Sequence, residues 1–145
     1  MIERRRGTHV VIDTDVASWL LDPRPLAHAE AARRVIGGHG RVASFVTMTE
    51  LRYGALRAGR GELRLRRLER SLADLDVIRT SESLINRCAA RRAEASGTGH
   101  ALAQKIHDAD RWVATTAVVL DLELVAGDGI FENVPALDVH RIRPA

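Results

Sequence analysis

Cysteine, lysine and aromatic side chains are scarce in this 145-residue chain. Cys88 is the single cysteine, so no internal disulfide can form, and a reducing cytoplasm is the expected setting. Lys105 is the only lysine; arginine carries the rest of the basic charge, a bias that points to a GC-rich bacterial genome. Two tryptophans, two phenylalanines and one tyrosine are too few for a base-stacking platform of the kind that binds single strands. No apolar run approaches the length that crosses a bilayer, so no membrane association is expected. The apolar stretch Val10, Val11, Ile12 near the amino terminus is too short for a secretion signal. Repeats, low-complexity segments and linkers are also lacking. The formal net charge of +3 permits a polyanionic partner without demanding one.

What is present is a globular balance, 46% hydrophobic and 28% charged. The length suits one domain over 1–145, with a core over about 9–143. Short apolar runs at 9–13, 41–45, 76–78, 123–126 and 137–140 read as strands. Between them, 16–21, 26–36, 47–58, 62–72, 81–95 and 110–120 read as helices, punctuated by Asp22-Pro23, Gly37-Gly38, Gly59-Arg60-Gly61 and Gly97-Thr98-Gly99. Leu65, Leu68, Leu72 and Leu75 recur at helical spacing and predict a buried stripe, and Ser81 is placed to cap the helix after it. Alternation of buried strands with helices predicts an α/β fold with a parallel sheet covered on both faces. In such sheets ligands bind beyond the carboxyl ends of the strands.

Four acids fall at that edge: Asp13 after the first strand, Glu50 after the second, Asp110 at the start of a late helix, and Asp128 after the fourth strand. Each also has a purely structural reading. Asp13 is placed to cap the helix near Val16. Glu50 closes a capping box with Thr47. Asp128, between Gly127 and Gly129, reads as a turn residue. Asp108 and Asp110 are favourable negative charges at a helix start.

Helical phase separates the last two. Three, four and seven residues beyond Asp110 lie Val113, Ala114 and Ala117, so Asp110 heads an inward stripe. Asp108, two residues earlier, points roughly 200° away at about 100° per residue. A half-buried carboxylate must be protonated, paired or bound to a cation. At separations of about 5–6 Å and an effective dielectric of about 20, each ionised pair of acids repels by roughly 3 kcal/mol. Four together therefore require compensation. No His or Cys stands at ligand spacing with them, so the donors are all oxygen, which suits Mg²⁺ or Mn²⁺ better than zinc. Carboxylate-held divalent cations are a recurrent device for phosphodiester hydrolysis, activating water and stabilising the leaving oxygen.

Four segments, VIDTDV (11–16), TMTELRYGA (47–55), DADRWVATTA (108–117) and ELVAGDGIFENVPALDV (123–139), together resemble the PIN-domain nucleases, specifically the VapC family of bacterial toxins. The resemblance spans about 10–143. It implies a three-layer α/β/α sandwich around a mostly parallel sheet of four to five short strands. It also implies a divalent-metal-dependent endoribonuclease that leaves 5′-phosphate and 3′-hydroxyl ends, held off by a cognate VapB-type antitoxin. A homodimer in contact through helix faces would fit the family. The family's four acids fall on Asp13, Glu50, Asp110 and Asp128, with Thr14 the hydroxyl that commonly follows the first. By this likeness Asp13 and Asp110 would bind the principal metal, while Glu50 and Asp128 complete the site. There are two departures. Ala126 stands where the family often has a hydroxyl residue, and Thr115 replaces a small residue of the third motif.

Other features admit more than one reading. Arg52, Arg57, Arg60, Arg64, Arg66, Arg67 and Arg70 form either a solvated helical face or a surface for RNA or the antitoxin. His107 precedes the third motif and reads as a surface or helix-entry residue more readily than a catalytic one. Leu84, Ile85 and Cys88 are spaced as the buried face of one helix. Trp19 and Trp112 read as packing residues. Two rival functions remain. Asp13-Thr14-Asp15 after a strand is the D-x-D of phosphotransferases that form an aspartyl-phosphate, although Lys105 is the only lysine to assist. Alternatively, the chain is a non-catalytic α/β RNA-binding or regulatory module whose acids are helix caps.

Overall fold

The computed structural model describes residues 7–59 and 61–143. Five short strands, β1 (His9–Ile12), β2 (Gly40–Ser44), β3 (Asp76–Ile78), β4 (Leu124–Ala126) and β5 (Val139–Arg141), form one sheet in the order β3-β2-β1-β4-β5. Every pairing is parallel. Around it lie α1 (Thr14–Leu21), α2 (Ala27–Ile36), α3 (Phe45–Arg57), α4 (Glu62–Leu72), α5 (Glu82–Thr98) and α6 (Asp108–Leu120). No helix among the described residues is long and apolar enough to cross a membrane.

The alternation along β1 sets the layers. Val10 and Ile12 face one side, where they pack with Val16 and Ala17 of α1 and with Ala32 and Ile36 of α2. Val11 faces the other side, with Ala95 of α5 and Val113, Ala114 and Ala117 of α6. Both faces of the central strands are thus dry, and residues 10–12 of β1 and all of β4 are apolar because neither side meets water. The chain builds outward from β1 to β3, then returns to place β4 and β5 on the opposite side of β1. The seam between the carboxyl ends of β1 and β4 is the topological switch point, where open α/β sheets leave a crevice.

The expected strands and helices are all found, with informative shifts at their ends. α3 starts at Phe45, capped by the Ser44 hydroxyl, which accepts from the Val46 amide. Thr47 therefore lies inside the helix, fully buried, and the expected capping box with Glu50 does not form. α5 keeps Ser81 as its cap but runs on to Thr98, ending where Gly99 adopts φ 72°. On α5, Leu84 and Cys88 are buried, whereas Ile85 is 48% exposed, one residue off the inward phase. The leucine stripe of α4 is shallower than expected. Only Leu72 is buried, with Leu65, Leu68 and Leu75 partly covered. α6 is buried on more than one stripe, since Arg111, Thr115 and Thr116 join Val113, Ala114 and Ala117 inside. Thr115 and Thr116 satisfy their hydroxyls on the carbonyls of Arg111 and Trp112 one turn back. This is how the helix tolerates a threonine among small residues.

Candidate active site

Asp13 occupies the switch point and is 3% exposed. Its Oδ1 accepts from the Val16 amide at 2.8 Å, capping α1, and its Oδ2 accepts from the Gly127 amide at 3.0 Å, across the seam. The structural reading of Asp13 is therefore correct as far as it goes, yet a cap does not require burial. Burial pushes its carboxyl up to about 7, helped by the charge of Asp15 and opposed by the Val16, Gly127 and Asp128 amides. Gly127 makes this arrangement possible. A Cβ there would stand 2.5 Å from the Trp19 indole and 3.0 Å from the Asp15 Cβ, so only glycine lets the end of β4 approach α1.

Thr14, the first residue of α1, donates its hydroxyl to Glu50 Oε1 at 2.9 Å and lies 3.1 Å from the hydroxyl of Thr47. The start of α1 and the first turns of α3 are thereby tied, with Glu50 facing the crevice. Burial raises the Glu50 carboxyl, as do the charges of Asp110 and Asp15, against the lowering effect of the Thr14 bond. Asp110, in the first turn of α6, accepts from His107 Nδ1 at 2.9 Å. Burial raises it too, and the charge of Asp128 adds to the effect. Asp128 caps the short turn Gly129–Phe131, its Oδ1 accepting from the Ile130 amide at 2.9 Å. That bond orients Asp128 in the absence of a hydroxyl at position 126.

Of the four acids expected from the sequence, Asp110 acts on Glu50 and Asp128 on Asp110, and Asp15 links them to Asp13. The Asp15 carboxyl is raised by burial first and then by the charges of Asp128 and Asp110. The sequence had singled out Asp15 only as half of a D-x-D. The signal that assigns it here, a position in the first turn of the helix that Asp13 caps, gains meaning only once β4 is beside β1. Asp108 stands apart, paired with the buried guanidinium of Arg111. His107, read from sequence as a surface or helix-entry residue, does stand at the entry of α6 and is in addition bonded to Asp110 three residues on.

Among the dominant influences on Asp13, Asp15, Glu50 and Asp110, no arginine or lysine appears. The negative charge is left for something else to balance. Among the described residues, no three of these side chains form a ready-made ligand set for one ion. Mg²⁺ does not need one, since it is commonly held by one or two carboxylates and keeps several of its waters. Hard oxygen donors carrying unbalanced charge fit such a cation and suit a soft or imidazole-preferring metal poorly.

Of the basic run, Arg52 pairs with Glu69 and Arg66 with Glu62, while Arg57, Arg64, Arg67 and Arg70 are exposed. Arg60 lies outside the described residues. Tyr53, Leu56 and Leu63 are exposed on the same pair of helices, at 60%, 68% and 54%. Trp112 packs edge-on against Phe45, and Trp19 against His28, as packing residues do.

Fold and site define a class: a doubly wound parallel α/β domain with an unneutralised carboxylate crevice at its switch point. The chain belongs to the PIN domain family, whose profile matches residues 10–137. No curated protein matches it in sequence. Among solved structures, the chain is similar to DNA-bound VapBC from Salmonella typhimurium, with a TM-score of 0.76 and 20% identity over 93% of this chain and 98% of that one. It is similar also to a toxin–antitoxin complex from Klebsiella pneumoniae, with a TM-score of 0.72 and 21% identity over 94% and 99% of the two chains. A third is FitAcB from Neisseria gonorrhoeae, with a TM-score of 0.73 and 24% identity over 91% and 96%. At these identities the likeness is one of fold.

Proposed function

We propose that this chain is a Mg²⁺- or Mn²⁺-dependent endoribonuclease, the toxin of a VapBC-type pair, acting in the cytoplasm and neutralised by a VapB-type antitoxin. The observation that carries the reading is the convergence of Asp13, Glu50, Asp110 and Asp128, with Asp15, at one edge where no arginine or lysine is among their dominant influences. The similarity to VapBC and toxin–antitoxin structures supports the choice of toxin and partner. The exposed Tyr53, Leu56 and Leu63 among arginines supply a surface that an antitoxin or a second copy of the chain in a homodimer would cover.

Asp13 and Asp110 would hold the principal cation, with Glu50 and Asp128 completing the site. When bound, the cation supplies Lewis-acid stabilisation of the phosphate and lowers the pKa of water at the site. The chain's own groups do the rest. The Val16 and Gly127 amides hold both oxygens of Asp13 in place, leaving each oxygen a further lone pair. Thr14 orients Glu50, whose raised carboxyl is a better proton acceptor than an unperturbed glutamate. The net reaction is hydrolysis: water adds to phosphorus, and the bond to the 3′ oxygen breaks. A 5′-phosphate and a 3′-hydroxyl remain.

The test is incubation of the purified chain with cellular RNA in Mg²⁺, Mn²⁺ or chelator, followed by sequencing of the RNA ends. Cleavage should require the cation and leave 5′-phosphates. RNA binding that is indifferent to chelator, without cleavage, would establish the non-catalytic module instead.

A further inference from the structure

We propose that His107 is a positioning residue for Asp110, engaging one oxygen of its carboxylate so that the other is presented to the cation. The inference rests on the metal-dependent reading above. His107 immediately precedes α6 but makes no capping bond to that helix through its side chain. Its Nδ1 lies instead 2.9 Å from Asp110 Oδ2. The bond requires the proton on Nδ1, since an unprotonated nitrogen would set its lone pair against a carboxylate oxygen.

The segment that presents the imidazole is itself held. The His107 amide donates to the Gln104 carbonyl at 3.0 Å. Arg111, only 4% exposed, donates to the carbonyls of Leu102 at 2.6 Å and Gln104 at 3.3 Å, and pairs with Asp108. A buried guanidinium thus pins the turn before α6 from below. The imidazole above it is 25% exposed and the carboxylate it meets is 31% exposed. A freely rotating surface histidine would have no such support. Groups that hydrogen-bond a ligating carboxylate fix its orientation, and their loss typically weakens metal binding by about 10- to 100-fold.

Two substitutions separate positioning from mere packing. Asparagine places an amide N–H near the position of Nδ1, whereas glutamine carries it out to the position of Nε2. Mn²⁺ binding to the full chain is measured by calorimetry for wild type, His107→Asn, His107→Gln and His107→Ala, together with the metal dependence of RNA cleavage. His107→Gln and His107→Ala should weaken Mn²⁺ binding by about tenfold or more. They should raise the metal requirement while leaving kcat at saturating metal within about threefold of wild type. His107→Asn should bind Mn²⁺ nearly as wild type, and metal-free melting should be alike in all four. Equal Mn²⁺ affinity in every variant would overturn the positioning role and leave the nuclease reading intact. Loss of kcat at saturating metal in all three, His107→Asn included, would make His107 a group that acts on the RNA instead. A wild type that binds no Mn²⁺ would remove both readings.

Discussion

At the scale of the residue, two neighbouring aspartates have different work. Asp110 interacts with Glu50, Asp15 and Asp128, while Asp108 is paired with Arg111. Asp110→Asn should therefore lower RNA cleavage on the order of a hundredfold or more, the loss expected when a carboxylate holding a Lewis-acid cation is removed. Asp108→Asn should stay near wild type, because Arg111 keeps its bonds to the Leu102 and Gln104 carbonyls. A cleavage assay on the two variants side by side decides it, and an inactive Asp108→Asn would reverse the assignment. Helical phase alone made this distinction legible in the sequence. The bond from His107 was not, because i, i+3 spacing brings two residues near each other without saying which way an imidazole turns.

Asp13 links charge to stability. Its carboxyl titrates near 7 in the folded chain and near 3.8 otherwise, so between those values the native state binds the extra proton. Stability of the metal-free protein should then fall as pH rises through that window, by up to a few kcal/mol. Thermal melting in chelator should show a lower Tm at pH 7.5 than at pH 5. Asp13→Asn should flatten that slope, although it gives up one of the two accepted amide bonds. A slope unchanged in Asp13→Asn would assign the pH dependence to other groups.

At the scale of the element, the site is made by ends meeting: β1 with β4 at Asp13, α1 with α3 through Thr14 and Glu50, and the turn before α6 with Asp110. Gly127 is where this is tightest. Gly127→Ala should cost about 1–3 kcal/mol through overpacking against Trp19 and Asp15. It should also reduce cleavage, since the displaced amide no longer holds Asp13; denaturant unfolding and the cleavage assay report the two effects separately. The order and kind of elements were readable because the central strands β1 and β4, dry on both faces, are short apolar runs and helices are punctuated by Ser81, Gly99 and Asp22-Pro23. Their meeting points were less so. Glu50 three residues after Thr47 looks like a capping box, yet Ser44 lies closer to the strand end and takes the cap. Asp15 looked like half of a phosphotransferase motif because sequence shows its distance from Asp13 but not what stands opposite. Arg111, inside a stretch otherwise read by its small residues, is buried because the loop carbonyls of Leu102 and Gln104 need a donor.

At the scale of the whole molecule, the metal-free chain carries a group of carboxylates whose mutual repulsion opposes folding. A cation that binds only the native state should stabilise it by about 2.7 kcal/mol at a hundred times its Kd. Mn²⁺ should therefore raise Tm, and the increment should be larger at pH 7.5 than at pH 5, where protons compete for the same oxygens. Differential scanning fluorimetry with and without chelator measures both, and an equal increment at the two pH values would place the ion elsewhere. Net charge matters at this scale too. The exposed Arg57, Arg64, Arg67 and Arg70 would give the proposed RNA substrate a favourable approach that the acids alone would deny it.

The two amide bonds that Asp13 accepts have a practical consequence for preparing the proposed toxin. A variant silenced at Asp13 is altered in the seam that joins β1 to β4, so its partners and melting behaviour cannot stand in for those of the active chain. Glu50 is tied to the framework by the Thr14 hydroxyl, away from the β1–β4 seam, and is open to solvent. On the proposed function, Glu50→Gln should therefore be the disarmed form to express in quantity and to carry into co-purification with a candidate antitoxin, its outline that of the native protein.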